Sequence, residues 1–222
     1  VLGYLKIPGF SNYLHPYDEN HVIGIGKETV EASEEDKERR GLDFAWHQGL
    51  KISIFDVSDV SNPVETAKIV IGDRGTSSLA LSEHKAVLFD KKRNLLVIPV
   101  SLYEIDKEKY NGEISPTTYG DYVWEGVYVF DITEDSIKVR GRITHYDKEI
   151  EEEEIENGDS WYDYRYWKME QYQIFRSLYM DNVLYTISTF KVKANDLESL
   201  EEINEIALPV EEDSYPYIYK VW

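Results

Sequence analysis

Residues 50–70 read LKISIFDVSDVSNPVETAKIV: an alternating apolar run, a cluster of Asp, Ser, Asn and Pro, and a second alternating run. Period-two alternation marks strands with one face turned inward, and the polar cluster between them marks a tight reversal. The same text returns further along the chain. SDVSNPVETAKIVIG from Ser58 aligns without a gap to NDLESLEEINEIALP from Asn195, so that Asp59 meets Asp196 and Ile69 meets Ile206. ISIFDVSD likewise aligns with VYVFDITED from Val127, which leads into IKVRGRIT. Upstream of each copy stand an aromatic, a turn containing Asp and an apolar run: YDENHVIGIG, FDKKRNLLVIPV and YMDNVLYTIS. The repeating unit is therefore four strands, a to d, and the opening stretch is c and d of the first unit.

Alternating or β-rich runs recur at 21–27, 50–57, 65–71, 84–89, 95–100, 126–132, 137–144, 183–190 and 203–208, rich in Val, Ile, Tyr and Thr. The fold class is all-β. The anchors Asp59, Glu134 and Asp196 are 75 and then 62 residues apart, whereas a bare four-stranded propeller blade needs roughly 40 to 50. Insertions account for the excess: about 28–49 and 101–124, each between strands b and c, and about 145–171, between one unit and the next. Repeated four-stranded antiparallel units predict a β-propeller, with about three whole blades at 10–72, 80–145 and 171–209. The competing architecture is a β-sandwich with coincidental similarity. At the ends, GYLKIPG resembles a strand d and SYPYIYKVW resembles a strand a, so parts of further blades flank the three. Propellers typically need at least four blades. The ring is expected to close through its terminal strands, through a second copy of the chain, or through a missing N-terminal half.

The formal net charge is -19 over 222 residues. Nucleic-acid affinity depends on Lys and Arg neutralising phosphates, so this balance argues against such a partner, and equally against anionic membrane surfaces. No Cys is present, which excludes disulfides, thiolate nucleophiles and Cys-type zinc sites. Abundant Glu and Lys with no Cys and 2 Met match a thermophile composition. No stretch is apolar enough for direct membrane insertion. IGIGK at 23–27 lacks the third glycine and following helix of a dinucleotide motif.

Chain direction reverses at every turn of an antiparallel blade, so b-to-c and d-to-a connections emerge on one face. All three insertions are of these kinds, while the other turns are short, and loops on a rigid scaffold commonly carry function. The first insertion carries Trp46 and His47, and Ser33 before Glu34, Glu35 and Asp36 permits a short capped helix. Trp124 closes the second, and Trp161, Tyr162, Tyr164, Tyr166 and Trp167 crowd the third. Large rings with polar edges suit recognition of a protein or a glycan, or pack the long loops onto the blades. The catalytic candidates are His84 and Lys85, placed in a strand a, with Asp73 and Arg74 in the loop before it. Calcium takes six to eight oxygens. Asn157, Asp159 and Asp163 offer a candidate set, as do Asp56, Asp59 and Asn62, although the latter also reads as an Asx-stabilised turn.

IPGFSNYLHPYDENHVIGIGKE, GLKISIFDVSDVSNPVETAKIVIGDRG, EHKAVLFDKKRNLLVIPV and VYVFDI with VRGRITH together resemble a family of prokaryotic, notably archaeal, secreted or surface-anchored proteins. Their C-terminal β-propeller is distantly related to WD40 repeats. The resemblance spans most of the chain outside the acidic insertions. It implies an extracellular or cell-surface location and a many-bladed ring, and no established reaction. The expected function is a non-enzymatic binding or scaffold module that recognises a protein or glycan through its long-loop face. The alternatives are a hydrolase or lyase acting on a surface polymer, and a calcium-stabilised structural domain.

Overall fold

The computed structural model describes residues 2–146 and 172–209. Among them, twelve strands form three separate sheets, each a simple antiparallel meander in sequence order. The first holds β1 (Phe10–Pro16), β2 (His21–Glu31), β3 (Ala45–Asp56) and β4 (Val64–Ile71). The second holds β5 (Leu88–Asp90), β6 (Leu95–Glu104), β7 (Asp121–Thr133) and β8 (Ser136–Ile143). The third holds β9 (Arg176–Met180), β10 (Val183–Ile187), β11 (Lys191–Asp196) and β12 (Glu202–Ala207). These are the four-stranded units of a propeller, not the two facing sheets of a sandwich.

The second sheet is apolar on both faces, which explains the unbroken run LLVIPV in β6. Leu96, Ile98, Val100 and Leu102 point toward the first sheet and join Ile23, Ile25, Leu50, Ile52 and Ile54 in one core. Leu95 and Val97 point the other way, with Val127 and Val129 of β7, and meet Ile174, Leu184 and Leu197 of the third sheet. Each fully buried side chain of this size contributes about 1.5–3 kcal/mol. Successive sheets are therefore held face to face mainly by alternate residues of the same two strands.

Three elements depart from the periodicity. The expected strand at 84–89 is shorter: His84–Ala86 is a 3-10 turn, with the Glu83 carboxylate accepting from the Lys85 amide, and pairing begins only at Leu88. The polar run Ser82 to Lys85 stays in solvent, while Ser77 bridges to Ser101 in its place. The run at 183–190 ends at Ile187, and β11, which alternation missed, follows it. Its buried positions are Lys191, Lys193 and Asn195, so polar residues stand where a core-facing row was expected. Finally, the first two insertions are not plain loops. β2 and β3 stay paired out to Glu31 and Ala45, β6 and β7 out to Glu104 and Asp121, so each sheet extends into a projecting hairpin. The first ends in the helix α1 (Glu34–Arg40), whose cap is Ser33 accepting from the Asp36 amide, with Gly41 at a positive φ of 66° closing it.

The glycines of IGIGK allow β1 to approach β2 beside a bulge at Ser11–Tyr13. A Cβ at Gly26 would meet the Phe10 carbonyl, and one at Gly24 the Ser11 hydroxyl and the Phe55 ring. Gly26→Ala is expected to push β1 outward and lower stability by about 1–3 kcal/mol in a urea titration; an unchanged midpoint would contradict this close packing.

Candidate functional site

The two projecting hairpins meet at the loop after β4. The Asp73 amide donates to the Tyr103 carbonyl (2.8 Å), its carboxylate accepts from the Ile105 amide (2.7 Å), and the Gly120 amide donates to the Arg74 carbonyl (2.8 Å). The Arg74 guanidinium reaches both hairpins: it donates to the His47 carbonyl (3.0 Å) and the Tyr119 hydroxyl (3.2 Å), and lies over the Tyr119 ring at 4.4 Å and the Trp46 ring at 5.3 Å. Arg40 covers Trp46 and Phe44 at 4.8 Å each, and Phe44 packs edge-on to Trp46 at 5.0 Å. Gln48 donates across to the Pro116 carbonyl at 3.0 Å. The outcome is one aromatic and arginine surface spanning two sheets. Tyr119, 64% exposed, and Leu42 and Tyr110 stand out from its two hairpins.

This arrangement sorts the residues singled out from sequence. Trp46, Arg74 and Asp73 come together, and His47 adds its backbone carbonyl while its ring packs on Phe10 at 4.9 Å. Trp124 does not join them: it packs on the core between the first and second sheets, edge-on to Tyr128 at 5.3 Å and under Arg142 at 4.9 Å. His84, its side chain 70% exposed, lies 3.7 Å from Glu83. Among the described residues no hydrogen bond, ion pair or ring contact links His84 and Lys85 to Asp73 and Arg74, whose polar groups hold the hairpins. Trp161, Tyr162, Tyr164, Tyr166 and Trp167, and the calcium candidates Asn157, Asp159 and Asp163, lie outside the described residues. Asp56, Asp59 and Asn62 form Asx turns: Asp56 accepts from the Ser58 amide (2.8 Å), Asp59 from the Ser61 amide (2.9 Å) and the Asn62 side chain (2.9 Å).

At the opposite end, the short turns tie neighbouring sheets together by a device that sequence reading passed over. Asp18, in the turn after β1, spends one carboxylate oxygen on the Asn20 and His21 amides and the His21 ring, each at 2.8 Å, and gives the other to Lys91 of the second sheet at 2.5 Å. Asp90, in the corresponding turn of the second sheet, caps the Lys92 and Arg93 amides with one oxygen and takes the Tyr179 hydroxyl of the third sheet with the other. The signal was present as the Asp in YDEN and FDKK, but the partners are distant in sequence. Asp18, His21 and Glu134 also bring three metal-type ligand atoms within 4.8 Å of one another. The Lys91 ammonium already supplies the positive charge there, and it is held over the Tyr17 ring at 4.8 Å.

With sheets, turns and hairpins in view, comparison with known proteins places the architecture. The family model described as beta propeller domain matches residues 1–200. The chain belongs to that beta propeller family. An uncharacterised protein of Methanocaldococcus jannaschii is 27% identical over 221 residues, covering 99% of this chain and 24% of its own length. An uncharacterised protein of Archaeoglobus fulgidus is 33% identical over 99 residues, 45% of this chain and 13% of its own. The propeller chain thus spans a quarter or less of these relatives. No solved structure matches it. Family membership supports a general binding or scaffold module.

The contact with Lys91, followed by the bonds from Asn20 and His21, holds the Asp18 carboxyl well below the ordinary value of 3.8. A depressed carboxyl contributes stability that is present above the unfolded pKa and is lost as pH falls through the folded one. Asp18→Asn is therefore expected to flatten the acid limb of a melting-temperature profile below about pH 4; an acid limb as steep as in the original protein would exclude this role.

Proposed function

We propose that this propeller is a non-catalytic binding module, displayed outside the cell, that recognises a protein through the hairpin surface around Arg74. One observation carries the reading: two strand extensions from different blades are joined through Arg74 and Gln48 into one platform with exposed Leu42, Tyr110 and Tyr119. Aromatic residues and Arg are the side chains enriched at the centres of protein interfaces. Protein is favoured over glycan because the Trp46 ring is already covered by Arg40, Arg74 and Phe44, which leaves less open ring for stacking on a sugar. The greater length of both relatives supports a ring completed by further blades of a longer protein, ahead of one completed by a second copy.

The test is retention of surface-layer proteins from an archaeon carrying a relative on immobilised protein, on a Tyr119→Ala/Arg40→Ala variant, and on Val60→Ala at the opposite end. Retention at least about tenfold weaker in the double variant alone, a loss of roughly 1.4 kcal/mol, is expected. Equal retention by all three would overturn the assignment of this face, and saturable binding of neutral oligosaccharides instead of protein would move the reading to a glycan.

A further inference from the structure

The two inter-sheet contacts differ in chemistry. Between the first and second sheets the core is apolar from β1 to the base of the hairpins. Between the second and third it is apolar only in part. Above Leu95, Val97, Val127 and Val129 the same faces present Ser101 on β6 and Glu125 on β7. Across from them the third sheet turns Ser177 of β9 and Thr186 of β10 inward on the row that holds Leu184. Gln173, next to the buried Ile174, hydrogen-bonds Glu125, as does Ser101.

Glu125 is only 7% exposed and Ser177 equally so. One Glu125 oxygen and the Ser177 hydroxyl have no hydrogen-bond partner. Among the described residues, the other titratable groups that face this layer have partners of their own. His145, fully buried just past β8, has both ring nitrogens against hydroxyls, Ser188 at 2.9 Å and Thr186 at 2.8 Å. On β11, Lys191 and Lys193 turn to Glu205 and Glu202 at 3.1 and 3.0 Å. Arg176, at the start of β9, has a buried Nε without a hydrogen-bond partner; its charge acts weakly on Glu83, after the Lys85 amide, and is not among those acting on Glu125. Among the described residues no cation is therefore placed to neutralise a Glu125 carboxylate, and burial pushes its carboxyl up to about 7, against the smaller opposing pull of Ser101 and Gln173. An uncharged carboxyl both donates and accepts, and so suits hydroxyl and amide neighbours; an unpaired buried carboxylate does not.

We propose that Glu125 is a proton-operated latch between the second and third sheets: neutral, it seals the polar layer, and ionised, it loosens β9 and β10 from the second sheet. The direction follows from linkage. A carboxyl raised on folding stabilises the closed contact only while it keeps its proton, so opening becomes easier as pH rises from the unfolded value of 4.5 to the folded value and levels off above it. The proton leaves to solvent, and no other group need change.

Hydrogen exchange of β9 and β10 amides, corrected for intrinsic rates, tests this in the chain and in Glu125→Gln. From about pH 6 to about pH 8 the opening constant is expected to rise roughly tenfold in the original protein, to stay level in the variant, and to stay level in β2 and β3 of both. A rise that persists in Glu125→Gln, or that is equal in β2 and β3, overturns the proposal. Should the variant not fold, carboxyl carbon NMR of the original chain decides: a glutamate midpoint near 7 is expected, and a full set of glutamate midpoints below about 5 overturns it.

Discussion

Everything in this molecule depends on the two-sided burial of β6 and β7. A four-stranded sheet has two faces, and a blade that covers only one of them leaves the other in water. The middle blade solves this by being apolar on both, alternate residues going to opposite neighbours. Without that pair of strands the first and third sheets would have no common partner. The glycines of β2 and the bulge in β1 serve the same end, because they bring the exposed first strand onto the sheet without disturbing the buried side.

The polar ties between blades have a different task. Asp18 to Lys91 and Asp90 to Tyr179 lie at the turns, open to solvent, where water screens such a contact and leaves it little net weight. A single buried isoleucine outweighs that. What these carboxylates add is direction: one oxygen fixes the conformation of its own turn and the other reaches the next blade, so that local geometry and the angle between blades are set by one side chain. Lys91 bound to Asp18 also offsets one of the two carboxylates in the ligand-like cluster with Glu134 from within the fold.

The opposite end of the blades is built to other rules. There the strands outrun the core and form hairpins whose contacts are aromatic and cationic instead of aliphatic. Arg74 bonds to both hairpins at once, which joins two projections into one surface and leaves Tyr119 outward. The polar layer at Glu125 lies where β7 passes from hairpin to core, a position at which an aliphatic residue would have packed with less cost. Keeping a carboxyl there sacrifices some stability of the contact to the third sheet.

The repeat, the four-strand unit and the all-β class were legible because a strand with one wet face must alternate, and alternation survives in the order of residues whatever the partner. The capped helix at Ser33 and the Asx turn at Asp59 were legible for the same reason, since their hydrogen bonds close within a few residues. β11 was not, since Lys191, Lys193 and Asn195 fill its buried row, and ion pairs with β12 decide that burial. His84 was misplaced because a short apolar run does not state whether a partner strand is within reach. The gathering of Trp46, Arg74 and Tyr119, the separation of Trp124 and His84 from them, and the burial of Glu125 beside Ser101 and Gln173 all depend on residues far apart in the chain. By itself, then, the sequence determined the local periodicities and the turns. Which side chains meet, and which carboxyl loses its water, was decided only by the tertiary structure, because desolvation and long-range contact belong to the packed sheets and not to any one segment.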